Sequence, residues 1–151
     1  MDYLLDTNII LHYVRNSAVY QSIDQQLDLF GKNNYSFASI VSVGEMYSLA
    51  IQLGWGKTKM EQLKKFLGQI NPIPVENNLE LIQAYAAIDA YSQGKHRKLR
   101  GSFSARNMGK NDLWIAATAY LYDLTLVSLD GDFSHLDEVF FRLINPEKSL
   151  I

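Results

Sequence analysis

Five acidic residues stand next to segments that are predicted to be strands or the first turns of helices. Asp6 follows a short apolar run, Asp130 follows a run rich in β-forming residues, and Asp112 begins an apolar helical segment. Glu45 lies early in another helical segment, and Asp132 stands two residues beyond Asp130. In an open α/β sheet, ligands bind beyond the carboxyl ends of the strands. The sequence therefore predicts an acidic site at one edge of a sheet.

Carboxylates that are held within a few ångströms of one another repel, so the pKa of at least one of them rises unless a cation lies between them. A divalent metal ion removes this conflict. We therefore predict that Asp6, Glu45, Asp112 and Asp130 are catalytic residues and metal ligands. Asp132 is a further metal ligand of lesser weight.

The chain contains no cysteine, which excludes disulfides, thiolate zinc sites and a cysteine nucleophile. Its three histidines, His12, His96 and His135, lie outside the acidic positions. The ligands are then oxygen atoms, which favours Mg²⁺ or Mn²⁺ over zinc. Such an ion can activate water, bind a phosphate oxygen and stabilise a leaving oxygen, which is the chemistry of phosphodiester hydrolysis.

Each acid also has an ordinary structural explanation. Acids at helix starts complement the positive end of the helix dipole. Ser42 and Glu45 match the spacing of a capping box, in which Glu45 would only bind a backbone N–H group. Asp130 and Gly131 form a common turn pair. The convergence of all the acids at one edge is what indicates a function.

The apolar periodicity alternates between strands and helices along the chain. We predict strands at 3–5, 35–41, 124–128 and 139–144, and a short extended piece at 72–75. We predict helices from 9 onward with Thr7 or Asn8 as the cap, and at 18–30, 42–53, 58–70, 79–91 and 113–120. This alternation predicts a three-layer α/β/α fold with a largely parallel central sheet. A length of 151 residues suits a single domain that spans residues 1–151.

Basic residues are concentrated in one segment, although the net charge of the chain is −2. No acidic residue lies between Asp89 and Asp112, whereas six of the 14 basic residues do. Lys and Arg side chains that neutralise phosphates provide most of the sequence-independent affinity for nucleic acid. We therefore predict that Arg97, Lys98 and Arg100 contact an RNA backbone; the alternative is a solvated loop.

The N-terminus carries two acids in its first six residues and has no basic start, so it does not resemble a signal peptide. No uncharged apolar run approaches the roughly 18 residues that a membrane span requires. We expect a cytoplasmic protein with no membrane segment.

The four acidic segments resemble, in order, the motifs of PIN-domain ribonucleases, most closely the VapC-type toxins of toxin–antitoxin pairs. The third segment is the strongest single match. Ser128 stands where the family often has threonine. The matching segments are Leu4-Leu5-Asp6-Thr7-Asn8, Ser42-Val43-Gly44-Glu45, Asn111-Asp112-Leu113-Trp114-Ile115-Ala116-Ala117 and Val127-Ser128-Leu129-Asp130-Gly131-Asp132-Phe133.

This resemblance implies a small PIN-like fold, dependence on Mg²⁺ or Mn²⁺, and endonucleolytic cleavage of RNA. It also implies a homodimer and an antitoxin protein that blocks the site. Thr7, Asn8 and Ser128 would orient the ligands or the phosphate through hydrogen bonds. This chain departs from the family pattern in the segment 94–109, which is longer and more basic than in compact members of the family.

Two other functions remain open at this point. One is a phosphotransfer domain or phosphatase in which a strand-end aspartate is itself phosphorylated, although Asp6 lacks a second aspartate two residues further on. The other is a non-catalytic interaction module whose acidic pocket binds an arginine of a partner.

Overall fold

The structure is a computed structural model that describes residues 1–146. Within these residues, parallel strands alternate with helices, as the periodicity predicts. The elements are β1 Asp2–Leu5, α1 Thr7–Arg15, α2 Ala18–Leu27, β2 Tyr35–Ser39, α3 Ile40–Gln52, α4 Lys57–Leu67, β3 Asn71–Ile73, α5 Leu79–Ser92, α6 Lys110–Leu121, β4 Thr125–Val127, a 3₁₀-helix Gly131–Leu136 and β5 Leu143–Ile144.

The five strands form one sheet in the order β3-β2-β1-β4-β5, and every pairing is parallel. From β1 the chain builds outward through β2 and β3, and then returns to the other side of β1 with β4 and β5. The direction of winding therefore reverses between β1 and β4. A crevice for ligands opens beyond the carboxyl ends of the strands at such a switch point. The three-layer α/β/α prediction is confirmed.

Two apolar cores lie on opposite faces of the sheet, because successive side chains of a strand point to opposite faces. Tyr3 and Leu5 of β1 pack with buried side chains of α1 and α4 and with Met46 of α3. Leu4 points the other way and packs with buried side chains of α5, α6 and the 3₁₀-helix. The central strand is thus covered on both sides. Within residues 1–146, no helix has both the length and the apolar character that crossing a membrane requires.

The boundary between β2 and α3 differs from the prediction. The strand was predicted to continue to 41, but it ends at Ser39, whose side chain accepts a hydrogen bond from the amide of Val41 and caps α3. Ile40 and Val41 are β-formers that lie inside the helix. Ser42 is therefore buried within α3 and caps nothing, so the capping-box explanation of Glu45 does not apply.

Other predicted elements also extend beyond the observed ones, among them the second helix and the last strand. The second helix ends at Leu27 because Asp28 adopts a left-handed conformation (φ 47°) that cannot continue it. The last strand begins at Leu143 because the amides of Val139 and Phe140 both donate to the carbonyl of Leu136 in a turn.

A substitution in the central strand β1 can test this packing. Leu4→Ala should lower the free energy of unfolding by about 2–5 kcal/mol, because Leu4 is fully buried and the truncation leaves a cavity. The matched control is Leu79→Ala, because Leu79 is 66% exposed at the start of α5 and should lose less than about 0.5 kcal/mol. Urea denaturation of both variants measures the difference. Equal losses in the two variants would contradict the packing described.

Candidate metal centre

Asp6 is the residue that joins β1 to the site. Its amide donates to the carbonyl of Val127 at 3.0 Å, which extends the pairing of β1 with β4 by one residue. Its Oδ1 accepts from the amide of Thr7 at 2.8 Å and so caps α1. Its Oδ2 accepts from the hydroxyl of Ser128 at 2.7 Å. The prediction that Thr7 or Asn8 would cap this helix is wrong, because Asp6 performs that role itself.

The turn after β4 is held by the same group of side chains. The Ser128 hydroxyl oxygen accepts from the amide of Asp130 at 3.0 Å, and Asp130 Oδ1 accepts from the amide of Asp132 at 2.9 Å. Asn8 Oδ1 accepts from the amide of Leu129 at 3.3 Å. The start of α1 therefore fixes the backbone that carries Asp130 and Asp132.

Three carboxylates come together at this edge. Each of Asp112, Asp130 and Asp132 offers an oxygen atom, and the three atoms lie within 4.8 Å of one another. Asp112 comes from the first turn of α6, and Asp130 is the N-cap of the 3₁₀-helix. Oxygen ligands of one divalent cation, at about 2.0–2.6 Å from it, lie up to about 5 Å apart. The donor set consists of oxygen atoms only, so these residues fit a hard cation such as Mg²⁺ or Mn²⁺.

Burial and the repulsion among the acids together raise the pKa of Asp112 from 3.8 to about 7. Burial is the largest cause, and the negative charges of Asp6, Asp130, Glu45 and Asp132 follow in that order. A cation among these groups would oppose both causes because it stabilises the ionised form.

The pKa of Asp6 is also raised, and burial is again the main cause because the side chain is only 5% exposed. The hydrogen bonds from Ser128 and Thr7 lower this pKa and partly offset the rise. These two donors stabilise the ionised form of Asp6, which is the form that a metal site needs.

Glu45 lies in the second turn of α3 and is half-buried. Its pKa is raised by burial and by the charge of Asp6, and the nearby hydroxyl of Thr7 acts in the opposite direction. That hydroxyl is buried and lies outside the geometry of a regular hydrogen bond. Thr7 therefore faces Glu45 and stabilises its ionised form only in part.

The structure places the predicted acids at one edge but ranks them differently. Asp132, predicted as the lesser ligand, belongs to the tightest group of three, together with Asp112 and Asp130. Asp6 and Glu45 lie close enough to raise the pKa of Asp112 but stand outside that group. Of the predicted orienting residues, Ser128 contacts Asp6 directly, whereas Asn8 acts on the backbone of Leu129.

The buried state of Asp6 argues against the phosphotransfer alternative. A carboxylate that is phosphorylated must present a free oxygen to its donor. Both oxygens of Asp6 accept hydrogen bonds, from Thr7 and from Ser128, and the side chain is almost inaccessible.

The basic segment forms an irregular loop between α5 and α6. Arg97, Lys98 and Arg100 are exposed on it, and Arg100 Nη1 donates to the carbonyl of Gly94 at 3.0 Å. Arg106, which has no predicted role from the sequence, stands six residues before Asp112. Arg106 is half-buried, and its Nη1 donates to the carbonyl of Gly131, the residue between Asp130 and Asp132, at 3.4 Å.

The fold and the site together define an α/β protein with a carboxylate centre at the switch point of a parallel sheet. The chain belongs to the PIN domain family, whose model matches residues 3–139. No curated protein sequence matches the chain.

Several solved structures share this fold. VapBC2 from Rickettsia felis, bound to a DNA fragment from its promoter, aligns with a TM-score of 0.72 and 23% identity over 95% of this chain and 98% of that one. VapBC-1 from nontypeable Haemophilus influenzae aligns with a TM-score of 0.69 and 21% identity over 97% of this chain and 99% of that one. FitAcB from Neisseria gonorrhoeae aligns with a TM-score of 0.66 and 25% identity over 96% of this chain and 98% of that one.

The raised pKa of Asp112 predicts how stability depends on pH when divalent cations are absent. A carboxyl group with a raised folded-state pKa favours folding below its ordinary pKa of 3.8 and loses that contribution as the pH rises towards 7. Asp112→Asn removes the ionisation. In EDTA, its melting temperature should exceed that of the wild type, by a margin that grows from about pH 4 to pH 7 and then levels off. Mg²⁺ should raise the melting temperature of the wild type and reduce this margin.

The matched control is Asp123→Asn, at the other end of α6. Asp123 is exposed and has φ 53°, a conformation that asparagine tolerates well. This variant should follow the wild type in both its pH and its Mg²⁺ response. If Asp112→Asn also follows the wild type, the electrostatic description of the site is wrong.

Proposed function

We propose that this protein is an endoribonuclease that depends on Mg²⁺ or Mn²⁺ and serves as the toxin of a toxin–antitoxin pair. The observation that carries the proposal is the oxygen-only group of Asp112, Asp130 and Asp132 at the switch point of a PIN domain. Similar solved structures include a toxin–antitoxin complex from Klebsiella pneumoniae and a member of the VapBC family of toxin–antitoxin systems from Mycobacterium tuberculosis.

The residues of the site divide into two groups in this proposal. Asp112, Asp130 and Asp132 hold the cation. Asp6 and Glu45 add negative charge beside them, and Ser128 keeps one oxygen of Asp6 and the amide of Asp130 in place. A divalent cation bound here supplies Lewis-acid activation of water and neutralises charge on the phosphate. Hydrogen bonds within the β4 turn and from Asn8 fix the backbone that carries Asp130 and Asp132.

The partners follow from the same proposal. We infer a homodimer and an antitoxin protein that binds over the acidic edge and blocks it. We infer an RNA substrate and a cytoplasmic location. Light scattering on the purified chain tests the dimer, and co-purification with the product of an adjacent short reading frame tests the antitoxin.

Asp6→Asn and Asp112→Asn should each lower the rate of RNA cleavage by at least about a hundredfold, because the charge that a metal ion stabilises in the transition state is worth several kcal/mol. The measurement uses a panel of structured RNAs with and without Mg²⁺ or Mn²⁺. Asp123→Asn is again the control and should cleave at the wild-type rate. Full metal-dependent activity in Asp6→Asn or Asp112→Asn would refute the assignment of these acids.

The exposed basic residues of the loop are tested by the salt dependence of RNA binding. Changing Arg97, Lys98 and Arg100 together to Ala should reduce the slope of log affinity against log salt by about two, since each phosphate contact on a single strand contributes about 0.7. A control with Lys57, Lys64 and Lys65 changed to Ala removes the same charge from the exposed face of α4. An unchanged slope in the loop variant would show that these residues do not contact phosphates.

A further inference from the structure

Arg106 differs from the other basic residues of the loop because its backbone is anchored to the protein. The amide of Arg106 donates to the carbonyl of Ser92, the last residue of α5, at 2.7 Å. Ser92 is itself fully buried, and its hydroxyl donates to Met108 Sδ at 3.2 Å. The same hydroxyl lies 2.7 Å from Nε2 of His135 in the 3₁₀-helix. The loop is therefore fixed to α5 and to the 3₁₀-helix where Arg106 stands.

The side chain of Arg106 is directed towards the acidic edge. Its Nη1 donates to the carbonyl of Gly131. A cavity of about 350 Å³ opens beside it, adjoining one of the three clustered carboxylates. The cavity is lined by Arg106, Asn107, Met108, Gly109, Gly131 and Asp132.

The positive charge of Arg106 is not neutralised by this contact. A guanidinium group has five N–H donors, and the hydrogen bond described for it goes to an uncharged carbonyl group. Within the described part of the chain, Arg106 forms no ion pair with a carboxylate. Burial is the main cause of the lowered pKa of His135, and the positive charge of Arg106 is the next cause. A cationic group with free donors thus borders a cavity beside an anionic centre.

We propose that Arg106 is a substrate-binding residue that holds, in this cavity, the phosphate group adjoining the scissile phosphodiester of an RNA strand. This inference rests on the proposed function. The carboxylates repel an approaching polyanion, so a fixed guanidinium next to them provides the attraction that sets the strand in place. Guanidinium groups bind phosphate through paired N–H donors, which fixes orientation as well as affinity.

A purely structural role for Arg106 is the competing explanation, and two substitutions separate the roles. Arg106→Gln retains an N–H donor for the carbonyl of Gly131 but removes the charge. Arg106→Lys retains the charge but loses the paired donors. Arg15→Gln is the matched control, because Arg15 is exposed at the end of α1 opposite to Asp6. Thermal melts establish that each variant is folded.

The experiment uses a short RNA that the wild type cleaves at one position, and a set of copies in which one phosphate at a time is replaced by an uncharged methylphosphonate. In the wild type, one replacement next to the cleaved bond should lower kcat/KM by between about tenfold and a hundredfold. Arg106→Gln should lower kcat/KM for the unmodified RNA by the same factor. The replacement that affects the wild type should then cause no further loss in this variant, because the two changes remove one shared interaction. Arg106→Lys should keep part of the sensitivity, and Arg15→Gln should keep all of it.

The inference is overturned if Arg106→Gln cleaves the unmodified RNA as the wild type does, or if it remains sensitive to every replacement that affects the wild type. Failure of the proposed function looks different, because the wild type itself would then cleave no RNA with Mg²⁺ or Mn²⁺. In that case, the dissociation constants of the same RNAs decide the role of Arg106. The inference is supported if one replacement weakens RNA binding by the wild type and has no effect on binding by Arg106→Gln. Identical dissociation constants for the wild type and Arg106→Gln overturn it.

Discussion

The parallel pairing of β1 with β4 is the constraint on which the rest of the structure depends. Leu5 lies opposite Val127 in this pairing, so the residues that follow, Asp6 and Ser128, leave the sheet side by side and form a hydrogen bond. This is also the point where the winding of the sheet reverses. One register therefore brings the start of α1 and the turn after β4 to the same place, although 122 positions of sequence separate Asp6 from Ser128.

The carboxylates of the site destabilise the fold that the apolar cores stabilise. The apolar cores on both faces hold the strands together, whereas the carboxylates at the edge repel one another and resist burial, as the raised pKa values of Asp6, Glu45 and Asp112 show. Hydrogen bonds from Ser128 and Thr7 relieve this strain for Asp6 only in part. The remaining cost of burial and repulsion is an unfavourable electrostatic energy that a cation bound among these carboxylates would reduce.

Periodicity in the sequence was sufficient to predict the alternating fold and the edge where the acids meet, because both follow from local patterns. The start of α3 was mispredicted because Ile40 and Val41 are strong β-formers, and only the cap at Ser39 turns the chain into a helix. The place of Arg106 could not be predicted, because a contact between an irregular loop and α5 positions it. Pattern analysis detects what each residue prefers locally, and these two features depend on tertiary contacts.

The loop between α5 and α6 is attached to the body of the protein at more than one point. Its beginning continues from α5, and its end returns to the same helix through the backbone bond between Arg106 and Ser92. Changes in the length of a surface loop whose ends are fixed alter its closure entropy only slowly. Phe103 of the loop packs against Tyr91 and His135, so residues 96–102 are the stretch that can vary by insertion or deletion at little cost to the sheet or the carboxylates. Such a stretch is a replaceable segment whose length and sequence can change while the carboxylates of the acidic edge keep their positions.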